Sequence, residues 1–384
     1  MPGIYVHIPF CRTACHYCDF HFSTSLQRTE EFVNALLKEV DLRKKSGVWD
    51  GSEFNTLYFG GGTPSVLSPK DLKRITDAIK VEFLPEKLTA FKEATIEVNP
   101  EDVTESALQG WLDAGFDRLS IGVQSFEDTQ LEWMNRKHSG TEAVKAVELA
   151  HKMGFNKISL DLIYGLLKND KEWRETVDRA LNLPINHISC YALTIEPKTV
   201  LGHRVSEGVV KVTPDEKIEA DYKYLCSAAK KAGFIHYEVS NWALGEQCRA
   251  VHNSGYWSGD PYIGFGPGAH GFRDNIRYAV ISNNLKYISE VGRGLLPDSS
   301  EKLSMLDRCN ESLMTGLRTD VGVSFVELER RWGVNPAVVN HEALKKWGGS
   351  GGLIKTACKS GEYYRVPEKM WLIGDSISSD FFVT

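Results

Sequence analysis

Three stretches of this chain repeat one phrase, and that phrase restricts the fold more than any other feature. They are Ala114-Gly115-Phe116-Asp117-Arg118-Leu119-Ser120, Met153-Gly154-Phe155-Asn156-Lys157-Ile158-Ser159 and Ala232-Gly233-Phe234-Ile235-His236-Tyr237. Each predicts a helix ended by glycine and a strand that starts two or three residues later. The glycines are 39 and 79 residues apart, so the second gap holds two units, and the missing one is a strand at His187 to Leu193. Repeated βα units of this kind are expected to wind into a barrel through right-handed crossovers. The chain before residue 243 is too short for eight of them. The expectation is therefore an α/β fold, a partial (β/α)6 barrel that Tyr237-Glu238-Val239-Ser240 extends. A doubly wound open sheet is the alternative.

Local signals fill in the units. Ile4 to Ile8 alternates apolar and polar residues and stops at Pro9, which predicts a strand. Residues 28–45 carry Phe32, Ala35, Leu36 and Val40 at helical spacing with a charged opposite face. A strand at Thr56 to Phe59 runs into glycines, and Ser68-Pro69 predicts the N-cap and first residue of a helix. A strand at Ala94 to Val98 and a helix from about Thr104 follow. From Asn241 to Phe272 the text turns to glycine, aromatics and histidine, and an irregular loop is expected there. Its Gly264-Phe265-Gly266-Pro267-Gly268 is no dinucleotide fingerprint, because the spacing is wrong and a proline interrupts it.

After residue 300, helices at 303–318 and 324–332, a turn at Gly349 to Gly352 and a strand at Tyr363 to Val366 predict a small winged-helix-like α+β domain. A last strand is expected near Met370 to Ile373. The expected division is a barrel over 1–240, a connecting segment over 241–300 and a C-terminal domain over 301–384.

The chemistry is concentrated in Cys11-Arg12-Thr13-Ala14-Cys15-His16-Tyr17-Cys18-Asp19-Phe20. Spacing C-x3-C-x2-C puts three thiols in one tight loop. Three thiolates cannot fill the four iron corners of a cubane, and protein-held clusters of that type normally take four cysteines. An open iron implies an exchangeable ligand. Three inert buried cysteines are a poor alternative beside polar Arg12, Thr13, His16 and Asp19; a zinc site completed by His16 is another.

The same motif is that of the radical S-adenosylmethionine (SAM) superfamily, which this chain resembles. Tyr5-Val6-His7-Ile8-Pro9-Phe10 and Gly60-Gly61-Gly62-Thr63-Pro64-Ser65 are similar to the group of oxygen-independent coproporphyrinogen III oxidases. The oxidases carry a further cysteine where this chain has Phe20, and Cys-Asp-Phe with little chain before it looks like the HemW branch of heme chaperones. The resemblance is dense over residues 4–272.

It implies a 4Fe-4S cluster on Cys11, Cys15 and Cys18, with the amine and carboxylate of SAM on the fourth iron. It implies SAM contacts for Tyr5, Gly61, Gly62, Thr63 and Glu97, and places Gln124, Arg136 and Asp161 where the oxidases hold a second SAM. Arg136 pairing with Glu132, one helical turn earlier, is the plainer alternative. Tyr17 and Phe20 are expected to shield the cluster. When reduced, a cluster of this kind passes one electron to SAM. His252-Asn253-Ser254-Gly255-Tyr256-Trp257 matches the HN-x-x-YW motif of the chaperone branch. His252 is thereby a candidate heme ligand beside two aromatic rings, on a loop that Gly255 lets move; His270, His236 and His203 are rivals, and a histidine that only fixes the loop is the structural alternative.

Strand ends support these assignments independently. Reactive groups of parallel barrels lie at the C-terminal ends of the strands, and the cysteines, Gly60 to Thr63, Glu97 with Asn99, Gln124, and Asp161 with Tyr164 all fall there.

Two functions follow. One is a heme chaperone that binds heme and hands it to an acceptor protein, with transient contact to a membrane-bound acceptor and a reductant such as flavodoxin or ferredoxin if SAM is cleaved. The other is a radical SAM enzyme decarboxylating a porphyrinogen. A composition of 42% hydrophobic and 25% charged residues is that of an ordinary soluble protein, and a net charge of −6 argues against a nucleic-acid partner. Five of the eight cysteines are scattered singly, and the first residues lack a basic, apolar leader. A reducing cytoplasm is the expected location.

Overall fold

The structure, a computed structural model, describes residues 2–85, 87–166, 170–358 and 361–384. Six parallel strands form its centre: β1 (Gly3–Ile8), β2 (Thr56–Gly61), β3 (Glu93–Val98), β4 (Arg118–Gln124), β5 (Lys157–Tyr164) and β6 (His187–Ala192). They lie side by side in sequence order. Right-handed crossovers between strands in unbroken order leave every crossover helix on one face. A doubly wound sheet would need the order to reverse at a switch point, and β1 to β6 contain none. Accordingly, helix Thr29–Lys45 packs on Pro69–Phe83, and that helix packs on Glu105–Ala114.

Local chemistry explains the units. Ser68 caps the second helix by accepting from the Asp71 amide, with Pro69 next. Thr104 caps the third in the same way. Gly115, Gly154 and Gly233 have φ of 93°, 103° and 86°, so each supplies the left-handed residue that ends a helix, and β4 and β5 start three residues on. β1 to β6 are buried along nearly their whole length, as parallel strands covered on both faces must be.

The sheet stays open. On one side β8 (Asn241–Ala243) pairs antiparallel with β6, and β7 (Ile235–Glu238) pairs antiparallel with β8. Tyr237 and Glu238 thus extend the sheet from its outermost strand and do not continue the parallel winding. On the other side β9 (Tyr262–Phe265) runs parallel to β1, and β10 (His270–Arg273), β11 (Ile276–Val280) and β12 (Asp298–Lys302) follow as an antiparallel meander.

The irregular loop expected over Asn241 to Phe272 is therefore mostly regular, with a helix at Val251–Trp257 between β8 and β9. Its glycines are there for close packing. A Cβ on Gly264 would sit 1.9 Å from the His270 carbonyl oxygen, and Gly266, at φ 90°, lies where a Cβ would meet the His7 carbonyl at 2.4 Å. Residues 241–300, expected as a connecting segment, are part of the main sheet.

A second core runs from Cys309 to Val383, around Leu313, Phe325, Leu328, Trp371 and Phe381. Helices Met305–Gly316, Phe325–Trp332, Pro336–Val339 and His341–Ser350 precede a hairpin of β13 (Ile354–Cys358) and β14 (Gly361–Arg365). Of the turn expected at Gly349 to Gly352, the first two residues are still helical and Gly351 supplies the left-handed end. The last strand expected near Met370 to Ile373 is a 3-10 helix, Glu368–Ile373, entered from Pro367, and the Trp371 indole donates to the Val366 carbonyl.

One buried ion pair ties the first helix to the meander. Glu39 and Arg43 bond at 2.8 Å; the Glu39 carboxylate also accepts from the Gly266 amide and the Tyr287 hydroxyl, and Arg43 reaches Asp298. Removing Glu39 leaves the buried Arg43 charge with Asp298 alone and frees the Gly266 and Tyr287 donors of their acceptor. Glu39→Ala is expected to cost about 3 kcal/mol or more of unfolding free energy, measured by denaturant titration; a loss below about 1 kcal/mol would show that the network does not hold the meander.

Candidate functional site

The C-terminal ends of β2 to β6 open into a cavity of about 560 Å³. The cysteine loop covers it. That loop is held from both sides: the Cys11 amide donates to the Ser23 carbonyl, the Cys18 amide to Cys15, and the Asn135 side-chain amide to the Ala14 carbonyl at 2.7 Å. Cys11, Cys15, Cys18, Tyr17, Gly61, Gly62, Thr63, Glu97, Gln124, Arg136 and Asp161 all line this one cavity. Eleven of the thirteen sequence-predicted residues are thus brought together.

Cationic and hydroxyl groups point at the thiols. The Thr63 hydroxyl donates to Cys11 Sγ at 3.4 Å, and Arg136 donates to Cys15 Sγ at 3.5 Å. The same guanidinium donates to Asn99 Oδ1 at 2.7 Å and to the Gly122 carbonyl, so Arg136 serves the chamber and does not pair with Glu132. Its Nε is buried with no protein partner. Burial pushes the Cys11 thiol up to about 11; a metal would have to displace that proton. Among the described residues the three thiols do not close within 4.8 Å of one another, so they do not converge on a single ion, and His16 turns away to the Trp133 carbonyl at 2.7 Å. Zinc held by these four residues does not fit.

The opposite wall is acidic. Glu97 accepts from the Tyr58 hydroxyl at 2.7 Å, and Asp161 from the Ser120 hydroxyl at 3.0 Å. Burial pushes Glu97 up to about 7 and Asp161 up to about 6. Two such buried carboxyls on one cavity wall suit a cationic, hydroxyl-bearing ligand, which would let both ionise. Glycine is required beside them. A Cβ on Gly60 would lie 2.8 Å from the Glu97 carboxylate, and one on Gly61, at φ 106°, would strike the His7 ring. Gln124 has φ 66° at a register shift between β4 and β5, a strained conformation for a non-glycine residue that aims its amide into the chamber rim.

The other two of the thirteen lie outside this lining. Tyr5 is buried beside it, bonded to His7 Nδ1 at 3.1 Å and stacked on Tyr58. His252 is not a reachable ligand, and its segment is a helix. That helix plugs the other end of the barrel, where Val251 and His252 amides donate to Glu93 at the start of β3. The ring is 4% exposed, with Nδ1 bonded to Thr56 Oγ1 at 2.8 Å and Nε2 to the Tyr256 hydroxyl at 2.9 Å. Burial holds its pKa down to about 3. Of the rivals, His203 is exposed and salt-bridged to Glu207, and His236 is packed against Trp242.

Several wall residues were not anticipated: Tyr58, Ser120, Ser159, Ser189 and His187. The signal was present, since Leu119-Ser120-Ile121, Ile158-Ser159-Leu160 and Ile188-Ser189-Cys190 set one serine inside three consecutive apolar strands.

Comparison with known proteins fits this geometry. The radical SAM superfamily profile matches residues 5–180. The heme chaperone HemW of Bacillus subtilis is 34% identical over 337 residues, 87% of this chain and 87% of that protein. The heme chaperone HemW of Synechocystis is 35% identical, over 84% of this chain and 79% of that protein. A zebrafish protein named radical S-adenosyl methionine domain-containing protein 1, mitochondrial, is 35% identical over 84% of this chain and 74% of its own length. The solved structure of Escherichia coli coproporphyrinogen III oxidase, HemN, superposes with a TM-score of 0.83 at 20% identity, covering 100% of this chain and 90% of that one; at that identity the likeness is one of fold.

The raised carboxyls set a pH dependence. Because Glu97 titrates near 7, well above an ordinary carboxyl, its contribution to the stability of the empty protein is full at low pH and lost as pH rises through 7. Binding a cation runs the other way. SAM affinity of the cluster-loaded protein is expected to rise with pH, by up to about tenfold for each unit that pH climbs toward 7, and Glu97→Gln to flatten that slope. Calorimetry across pH checks it; equal slopes in the two proteins would contradict the assignment.

Proposed function

This chain belongs to the radical SAM family that includes the bacterial HemW heme chaperones, and from that membership we propose that it binds heme and hands it to an acceptor protein, on a scaffold that carries a 4Fe-4S cluster and SAM. The identity to chaperones over 87% of both chains carries the reading. Cys11, Cys15 and Cys18 would hold the cluster, with Arg136 and Thr63 favouring the thiolate charge on Cys15 and Cys11. Glu97 and Asp161 would accept from the cationic and hydroxyl groups of SAM, and Gly61 and Gly62 leave room for it. When bound, these groups supply one-electron chemistry, for which a protein reductant is needed if SAM is cleaved. Tyr17 closes the chamber against water, and Phe20, 72% exposed, stands at its rim.

Heme is assigned elsewhere. A second cavity, of about 700 Å³, lies beyond helix Val251–Trp257, between the barrel and the C-terminal helices. Tyr256, Trp257, Tyr262 and Phe272 give it aromatic walls on which a flat macrocycle can stack. Arg249 and Arg308 keep carboxylate partners in Asp320 and Glu311 but each has a buried Nε with none, and these donors suit propionates. The motif's aromatic pair thus serves heme while His252 fixes the helix that carries it. This arrangement favours a chaperone over a porphyrinogen decarboxylase, because an enzyme's substrate must lie in the cluster chamber. A cytoplasmic location agrees with the seven described cysteines being free thiols; among the described residues no helix is long and apolar enough to cross a membrane.

The test is a heme titration with a parallel turnover assay. Wild type should develop a Soret band at one heme per chain and form no protoporphyrinogen from coproporphyrinogen under anaerobic reducing conditions with SAM. Trp257→Ala should weaken heme binding about tenfold, the worth of one aromatic stacking contact. Absence of a heme band, or turnover of coproporphyrinogen, would overturn the reading.

A further inference from the structure

A third group of reactive side chains lies outside both cavities. Cys226 stands on helix Asp215–Lys231, His236 on β7, and Glu368 opens the 3-10 helix of the C-terminal lobe. Cys226 Sγ is 3.8 Å from His236 Nδ1, and Glu368 Oε1 is 2.9 Å from the same nitrogen. All three donor atoms lie within 4.8 Å of one another, and among the described residues no other trio of histidine, cysteine and acidic side chains does.

The histidine is fixed before any ligand arrives. Its ring stacks on Trp242 with centroids 3.9 Å apart and meets the edge of Trp371 at 4.4 Å. Two indoles from the two lobes therefore aim Nδ1 at Cys226 and Glu368. Preset orientation of this kind is what metal sites require of their ligands.

Thiolate, imidazole and carboxylate together are the donor set of Zn(II), which is redox-inert and takes four ligands tetrahedrally. With Zn–S near 2.3 Å and Zn–N near 2.0 Å, tetrahedral geometry separates sulfur from nitrogen by about 3.5 Å, about 0.3 Å less than the 3.8 Å observed. Glu368 must move out by about 0.4 Å, from hydrogen-bond distance to the nitrogen–oxygen separation of a shared ion. Its side chain is 44% exposed, so it can move, and water can reach the fourth position.

We propose that Cys226, His236 and Glu368 bind one Zn(II) ion, with water as fourth ligand, and that the ion clips the C-terminal lobe to the end of the main sheet. Binding is a ligand exchange without redox change. The Cys226 thiol gives its proton to solvent and the Zn–S bond forms; the His236 ring changes tautomer, its proton passing through solvent from Nδ1 to Nε2 beside the Tyr222 hydroxyl, so that Nδ1 and the Glu368 carboxylate exchange their hydrogen bond for two bonds to the metal. Burial pushes the free thiol up to about 12, so zinc uptake releases a proton near neutral pH.

The experiment uses cluster-loaded full-length protein, whose motif cysteines are occupied by iron, dialysed anaerobically against buffered Zn(II). Metal analysis should find about one zinc per chain at unchanged iron content, and zinc-edge X-ray absorption should show one sulfur with nitrogen and oxygen neighbours. Cys226→Ser and Glu368→Gln should each weaken zinc binding at least about tenfold, with circular dichroism confirming that they fold. No retained zinc, a zinc shell without sulfur, or a Cys226→Ser protein that binds zinc as wild type does would each overturn the proposal. The wild-type spectrum decides even if a variant fails to fold.

Discussion

Six parallel strands in unbroken sequence order are the constraint on which the rest of this molecule depends. That order sends every crossover helix to one face and every strand's C-terminal end to one rim. A loop after β1, a glycine run after β2, a carboxyl on β3, a strained glutamine closing β4 and a carboxyl on β5 then meet without further instruction. The chamber is a consequence of winding, and the polar residues that line it are spaced through 150 residues of chain for that reason.

What the chamber holds follows from its electrostatics. Uncompensated burial of two carboxyls is costly, and here both are lifted toward neutral pH by that burial. Across from them the thiols face a guanidinium and a hydroxyl. A site with anionic capacity on one wall and thiolate-stabilising donors on the other suits a cationic ligand bridging to a thiolate-held cluster. The seven-residue helix at Val251–Trp257 closes the far end, so about two turns of helix and its buried histidine lie between this chamber and the aromatic cavity.

Much of this is legible in the amino-acid sequence. The left-handed glycines at 115 and 154 announced parallel βα units, while the one at 233 ends a helix in the same way but leads into the antiparallel edge strand β7; the cysteine spacing announced the chamber. Strand-end polarity located Gln124 at the end of β4 and Glu97 one residue before the end of β3; Asp161 lies in the middle of β5, on a cavity wall that runs back to Ser159 and Ser189. Residues 241–272 misled because their glycines resemble loop glycines, yet Gly264 and Gly266 are set by close approach to neighbouring backbone, which no local pattern reveals. His252 misled for a related reason: its partners Thr56, Tyr58 and Glu93 lie on strands some 160 to 200 residues away, so its burial is a tertiary fact. Met370 to Ile373 reads as a strand by composition, and it is the proline before it and the buried Trp371 that turn it into a helix.

The central claim is that the cysteine loop and the acidic wall form one site, with an iron that SAM can reach. Electron paramagnetic resonance of the reduced, reconstituted protein with and without SAM tests it most directly. The account predicts a single cluster signal whose g-values change when SAM is added, and a smaller change in Glu97→Gln at equal SAM. A cluster signal that is identical with and without saturating SAM would contradict it.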